Sequence, residues 1–139
     1  MDRLAYWFAD RTMSIMQTTL DDPAGVSAAF VQAINAGDLE SAIGLYREDA
    51  VLLAPDGSQA RGTGAIRALL ENLVTMRVQM TAQVKSIVVA EDFAVACEDW
   101  TMRLDTGRAQ DNEQRGQSIV CFAHAEDGWR FLIDAPWGL

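Results

Sequence analysis

Positive charge is scarce in this chain: 11 Lys and Arg stand against 20 Asp and Glu, a formal net charge of −9. Binding to nucleic acid rests on Lys and Arg neutralising phosphates, and no basic run exists to override the acidic balance. Neither nucleic acid nor an anionic membrane is therefore expected as a partner. Cysteine and histidine are nearly absent, at 2 and 1 residues. With no CxxC pair and no His/Cys cluster, neither a structural nor a catalytic metal site is expected. Cys97 and Cys121 lie in the apolar runs AVAC and IVCF and read as buried free thiols. His124 follows Cys121 by three residues, which on a strand puts the two on opposite faces and argues against a thiolate–imidazolium pair. Long apolar runs are missing as well. The opening MDRLAYWFADRTMSIMQTT is broken by Asp2 and Asp10, so it reads as neither a secretory leader nor a membrane span. A cytoplasmic protein is expected.

What is present is an ordinary globular composition. Apolar residues make up 50% of 139 positions, enough for one domain with a core of its own. Residues 1–21 read as a helical N-terminal extension, with Leu4, Trp7, Phe8 and Ile15 on one face, and residues 22–138 as the core domain. Asp21-Asp22-Pro23 is a helix start, with an acid at the N-cap and proline in the first turn. Val26, Phe30 and Ile34 then recur at helical spacing. Gly37-Asp38 ends that helix and caps a second one, which carries Leu39, Ala42, Ile43 and Tyr46. A short strand over Ala50–Ala54 ends in the turn Pro55-Asp56-Gly57. Thr63 then caps a third helix with Ile66, Leu69, Leu70 and Leu73 facing inward.

From Val78 the pattern changes to period two, predicting strands over Val78–Ala90, Phe93–Leu104, Arg115–Ala125 and Trp129–Trp137, with the polar hairpin loop 105–114 between the second and third. Helices followed by hairpin-connected strands mean an α+β fold with a mainly antiparallel sheet.

FVQAINAGDLESAIGLYREDAVLLAPDGSQARGTGAIRALLENL, followed by long strands and a closing DGWRFLIDAPW, resembles the nuclear transport factor 2-like superfamily. Within it, the chain is most similar to the SnoaL-like and ketosteroid-isomerase-like bacterial proteins. The resemblance implies N-terminal helices wrapped by a strongly curved sheet, a cone-shaped α+β barrel with one apolar cavity. It also implies homodimers through the outer face of the sheet. Such folds host cofactor-independent isomerases, dehydratases, cyclases and hydrolases, and also non-catalytic ligand-binding or dimerisation modules, so activity has to be argued from the site. Steroid isomerases need a base and two donors for the dienolate oxygen. The resemblance registers these three positions on Ala54, Phe30 and Val120, none of which carries the required group.

The expected cavity wall comprises Phe30, Ile34, Leu52, Ala54, Ile66, Leu70, Val120, Phe122, Phe131, Ile133 and Trp137. The family register, with which period-two alternation agrees, points Phe131, Ile133, Ala135 and Trp137 inward and leaves Arg130, Leu132 and Asp134 outside. In VACEDWTM one of Glu98 and Asp99 faces the cavity. Val95 and Cys97 share the parity of Asp99, whereas Trp100 and Met102 share that of Glu98, and a bulge would reconcile them. The family register favours Asp99 as the pocket acid. Asp99 or Glu98, helped by Tyr46, is the expected proton shuttle toward a small apolar metabolite, with no cofactor.

Overall fold

The computed structural model describes residues 20–104 and 113–139. Two sequence expectations, the helical extension before residue 20 and most of the polar hairpin loop, lie outside the described residues. The elements run α1 (Pro23–Asn35), α2 (Leu39–Ile43), β1 (Tyr46–Leu53), β2 (Gln59–Arg61), α3 (Gly62–Thr75), β3 (Val78–Ala90), β4 (Phe93–Leu104), β5 (Glu113–Ala125) and β6 (Gly128–Ala135). The α+β class stands.

Both early caps form as the residue types dictate. Asp22 accepts from the Ala24 backbone N–H at 3.1 Å with Pro23 in the first turn, and Asp38 accepts from Ser41 N at 3.1 Å. Gly37 has φ +70°, the left-handed geometry that lets the chain reverse between α1 and α2. Helix α3 departs from expectation: its N-cap is Arg61, with no side-chain cap bond, so Thr63 lies inside the helix. Tyr46 also departs, because α2 ends after five residues and Tyr46 opens β1. The strand is therefore longer than Ala50–Ala54, and Glu48 and Asp49 are strand residues. The three-residue β2 was not foreseen; it pairs with β1 across the Pro55–Gly57 turn.

The sheet has six strands in the order β2-β1-β6-β5-β4-β3, antiparallel except where β1 runs parallel to β6. It is curved but not closed: β2 and β3 are its edges, so the cone is an open wrap around the helices and not a barrel. At the β3 edge, Asn35 from α1 imitates a missing strand. Its Nδ2 donates to Met80 O at 2.9 Å and its Oδ1 accepts from Met80 N at 2.6 Å.

Two extra residues set the curvature and the facing of side chains. In β3 the register slips between Val84 and Ser86, leaving Lys85 unpaired against β4. In β6 Ile133 pairs with Cys121 and Phe131 with Phe122, leaving Leu132 as the extra residue. Such bulges bend a strand and reverse the parity of everything beyond them. Strand β4 itself carries no bulge. Ala94, Ala96, Glu98 and Trp100 are all buried, and Val95 and Cys97 face outward.

The core between helices and sheet is filled by Phe122, Ile34, Ile66, Leu70, Val26 and Val78, each with under 2% to 2% of its surface exposed. Trp100 lies over Gly116, its cross-strand neighbour, and donates from Nε1 to Pro136 O at 2.6 Å. A Cβ on Gly116 would meet the Trp100 ring at 2.5 Å. Gly116→Ala is therefore expected to destabilise the fold by about 1–3 kcal/mol through overpacking. Urea denaturation followed by tryptophan fluorescence measures this, and an unchanged midpoint would contradict the packing described.

Candidate functional site

The concave side of the sheet and helices α1 and α3 enclose a cavity of about 320 Å³. Its outer walls are apolar, from Leu69 and Leu73 on α3 to Met80 on β3 and Met102 on β4. Trp100 and Trp137 meet edge to face on one side, with ring centroids 4.8 Å apart. Tyr46, Phe131 and Phe30 form a second aromatic cluster on the wall. The Tyr46 and Phe131 rings lie 4.8 Å apart, and Phe30 stands edge-on to both.

Against this apolar lining stand two buried carboxyls. Glu98 is 4% exposed and Asp134 8% exposed, and both line the cavity. Tyr46 donates its hydroxyl to Asp134 Oδ2 at 2.7 Å, and Ser27 on α1 donates to Glu98 Oε2 at 2.7 Å. Among the described residues, each carboxyl has one oxygen so engaged and a second without a partner. Ser118 on β5, the cross-strand neighbour of Glu98, is 6% exposed and also lines the cavity.

Burial penalises the charged form of each acid. It pushes Asp134 up to about 6, with the Tyr46 hydrogen bond pulling the other way and the negative charge of Glu98 adding to the rise. Glu98 is likewise raised by burial, opposed by its bond from Ser27. Tyr46 is raised well above its usual value by burial and then by Asp134, so it remains a protonated donor.

Of the residues expected on the wall, Phe30, Leu52, Ala54, Leu70, Val120, Phe131 and Trp137 line the cavity. Ile34, Ile66 and Phe122 do not: they sit behind it in the core, where Phe122 stacks on Phe131 at 5.3 Å. Ile133 is 40% exposed on the outer face, because the Leu132 bulge turns it away from the helices. The same bulge overturns the outward placement of Asp134, whose neighbours on β5 and β1 are the buried Val120 and Leu52. The preference for Asp99 is also overturned. Asp99 points outward, accepting from Gln117 Nε2 at 3.0 Å and lying 3.7 Å from Lys85 Nζ, while Glu98 holds the inward parity of Trp100. Ser27 and Ser118 were missed. Ser27 lies three residues before Phe30 on the inner helical face, and Ser118 continues the period-two series of Val120 and Phe122, so both were within reach of the periodicity.

A cone of helices wrapped by a bent sheet, with one deep cavity on the concave side, is the architecture of the nuclear transport factor 2-like superfamily. Within it, residues 27–129 match the family model of the SnoaL-like domain, and the chain belongs to that family. Solved structures share the fold. One is a candidate calcium/calmodulin-dependent protein kinase type II association domain from Thiobacillus denitrificans, with TM-score 0.73 and 14% identity over 86% of this chain and 97% of the other. Another is a ketosteroid isomerase-like protein from Erwinia carotovora, at 0.67 and 19% over 80% and 88%. A nuclear transport factor 2-like protein from Novosphingobium aromaticivorans superposes at 0.67 with 17% identity over 96% and 87%. At these identities the likeness is one of fold. Among the described residues, no helix is long and apolar enough to cross a membrane.

The raised carboxyl of Asp134 fixes the sign of a pH dependence. A group that holds its proton more tightly when folded favours the folded state below its unfolded pKa of 3.8, and that advantage is lost as pH rises through about 6. Asp134→Asn keeps an acceptor for Tyr46 but carries no charge. Relative to wild type, it is expected to gain on the order of 3 kcal/mol in stability between pH 4 and pH 7.5. Denaturation of both proteins across that range tests this, and a constant difference would mean that Asp134 is not desolvated.

Proposed function

We propose that this protein is a cofactor-independent enzyme that moves a proton within a small, largely apolar molecule, by isomerisation, dehydration or a related step. The observation that carries this reading is the pair of buried carboxyls, Glu98 and Asp134, on the wall of an otherwise apolar cavity. An acid–base catalyst works best with a pKa near the working pH, and desolvation brings Asp134 to about 6. At neutral pH Asp134 is the base, its Oδ2 held by Tyr46 and its other oxygen turned to the substrate. Glu98, steadied by Ser27, holds the polar end of the molecule or returns the proton. The steroid-isomerase positions do not contribute, since Ala54, Phe30 and Val120 line the same cavity without a titratable group.

Proton exchange in D₂O tests this without knowledge of the substrate. A panel of small cyclic and aryl ketones, amino-substituted members included, is incubated with the protein and read by mass spectrometry for deuterium at carbon. The wild type should exchange, with a rate that rises through pH 6, and Asp134→Asn should lower it about 100-fold or more. Exchange no faster than in buffer, or equal in the variant, would favour the non-catalytic reading of the same fold.

We propose further that the chain forms a homodimer through the outer face of the sheet. Val88, Val95, Cys121, Ile133 and Val51 are successive cross-strand neighbours, one apolar row over five strands. Val88, Val95 and Ile133 are 70%, 48% and 40% exposed, with Phe93 alongside at 52%. A two-fold contact can cover such a row with its own copy, which a chain of this acidity could not do through its charged faces. Val95→Glu, at the middle of the row, should convert a dimer to a monomer in analytical ultracentrifugation. A wild type that sediments as a monomer would sink the proposal.

A further inference from the structure

We infer that the molecule bound in the cavity carries a primary ammonium group on an apolar, ring-bearing body, its nitrogen held by Glu98 and Ser118 within the field of Asp134. This names the substrate class of the proposed function and rests on the cavity being the ligand site.

Three observations converge on it. The first is charge. Glu98 and Asp134 are the charged residues among the described residues that line the cavity, and neither has a Lys, Arg or His there to neutralise it. Each raises the cost of ionising its surroundings, as the effect of Glu98 on both Asp134 and Tyr46 shows. An anionic substrate would add a third negative charge to a site with low dielectric, whereas a cation would relieve the two already there.

The second is the count of acceptors. Ser118 is more than nine-tenths buried, lines the cavity, and has no side-chain hydrogen bond among the described residues. It sits opposite Glu98 on the β4–β5 ladder and two residues along from Val120, the cross-strand neighbour of Asp134. The Glu98 oxygen that Ser27 does not engage and the Ser118 hydroxyl are thus two acceptors on neighbouring strands, with the Asp134 carboxyl lining the same cavity as base and added negative charge. A primary ammonium has three N–H donors and no acceptor. A metal ion is a poorer match, because the described residues supply no group of three His, Cys, Asp or Glu side chains able to hold one.

The third is the remainder of the wall. Trp100, Trp137, Phe30 and Phe131 present ring faces and edges, which suit both an apolar ring and the cationic end of such a molecule. The other polar side chains on the wall are the Ser27 and Tyr46 hydroxyls, both donating to the carboxyls, and the neutral amides Asn72 and Gln114.

Isothermal titration of the full chain with 2-naphthylmethylamine, 2-naphthylmethanol and 2-naphthoate tests the inference, since the three share one body and differ in the charge of the head. At pH 7.5 the amine should bind about tenfold or more tighter than the alcohol, with the acid weakest. The amine's advantage should shrink at pH 5. The titratable groups facing the nitrogen are Glu98 from β4, Asp134 from β6 and Tyr46 from β1, and α1, α3, β3 and β5 present no charge to it. Glu98→Gln and Ser118→Ala should each weaken the amine about 3- to 10-fold and leave the alcohol nearly unchanged. An alcohol that binds as well as the amine would overturn the ammonium while leaving the cavity as the ligand site. No binding by any of the three would overturn both. Amine binding without deuterium exchange would uphold the inference and count against proton transfer alone.

Discussion

The hydrogen bond from Tyr46 to Asp134 joins β1 to β6 inside the fold, at the parallel pairing of an otherwise antiparallel sheet. Much of the architecture follows from holding those two groups together. Pairing between β1 and β6 is interrupted from Tyr46 to Val51, so side chains there help to fasten the strands. The ring of Tyr46 is fixed by Phe131 and Phe30, and Phe131 by the stack of Phe122 beneath it. The aromatic cluster thereby aims one hydroxyl at one oxygen of a carboxyl that lines the cavity. Because the donor is a tyrosine whose proton is held more firmly than usual, the bond persists whether Asp134 is charged or neutral.

This arrangement is poor for stability. A desolvated carboxylate with one hydrogen bond costs more than an apolar side chain of similar size, and two that repel each other cost more again. The apolar neighbours Val120, Leu52 and Phe131 do not themselves call for an acid at Asp134; what the acid satisfies is the buried Tyr46 hydroxyl, which an apolar residue there would leave without an acceptor. Buried groups that weaken a fold while remaining in contact with a cavity are characteristic of sites that act on a ligand. Ser27 belongs to the same pattern, a polar residue on the apolar face of α1 whose partner is Glu98.

The fold was legible because its signals are local. Asp22-Pro23, Gly37-Asp38 and the alternation after Val78 each act within a few residues, and each produced the element expected. The family resemblance rested on the same punctuation. The site was less legible because it depends on parity, which one inserted residue reverses. Nothing in the run Phe131-Leu132-Ile133-Asp134 marks Leu132 as a bulge, since an outward leucine also fits a dimer surface. Only pairing with β5 reveals that Ile133 and Asp134 have exchanged faces. In β4 the error ran the other way. Mixed parity from Val95 to Trp100 suggests a bulge, yet the strand is regular and Val95 is apolar because the outer face is apolar too. The spacing of Tyr46 from Ile43 fits a helix, but Gly44 closes α2 first.

The two faces of β4 therefore differ in kind one residue apart. Outward, Val95 and its neighbours form an uncharged row, the part of the surface able to meet a second copy without bringing like charges together. Inward, Glu98 and Trp100 belong to the cavity. Association through the row would leave the concave side open while doubling the negative charge around it, from −9 in one chain. A field of that sign draws cations toward a mouth lined by low-dielectric groups and repels anions before they reach it. The acidity that argues against nucleic acid at the level of composition thus acts in the same direction as the two carboxyls within the cavity, and both favour a ligand with a positive end.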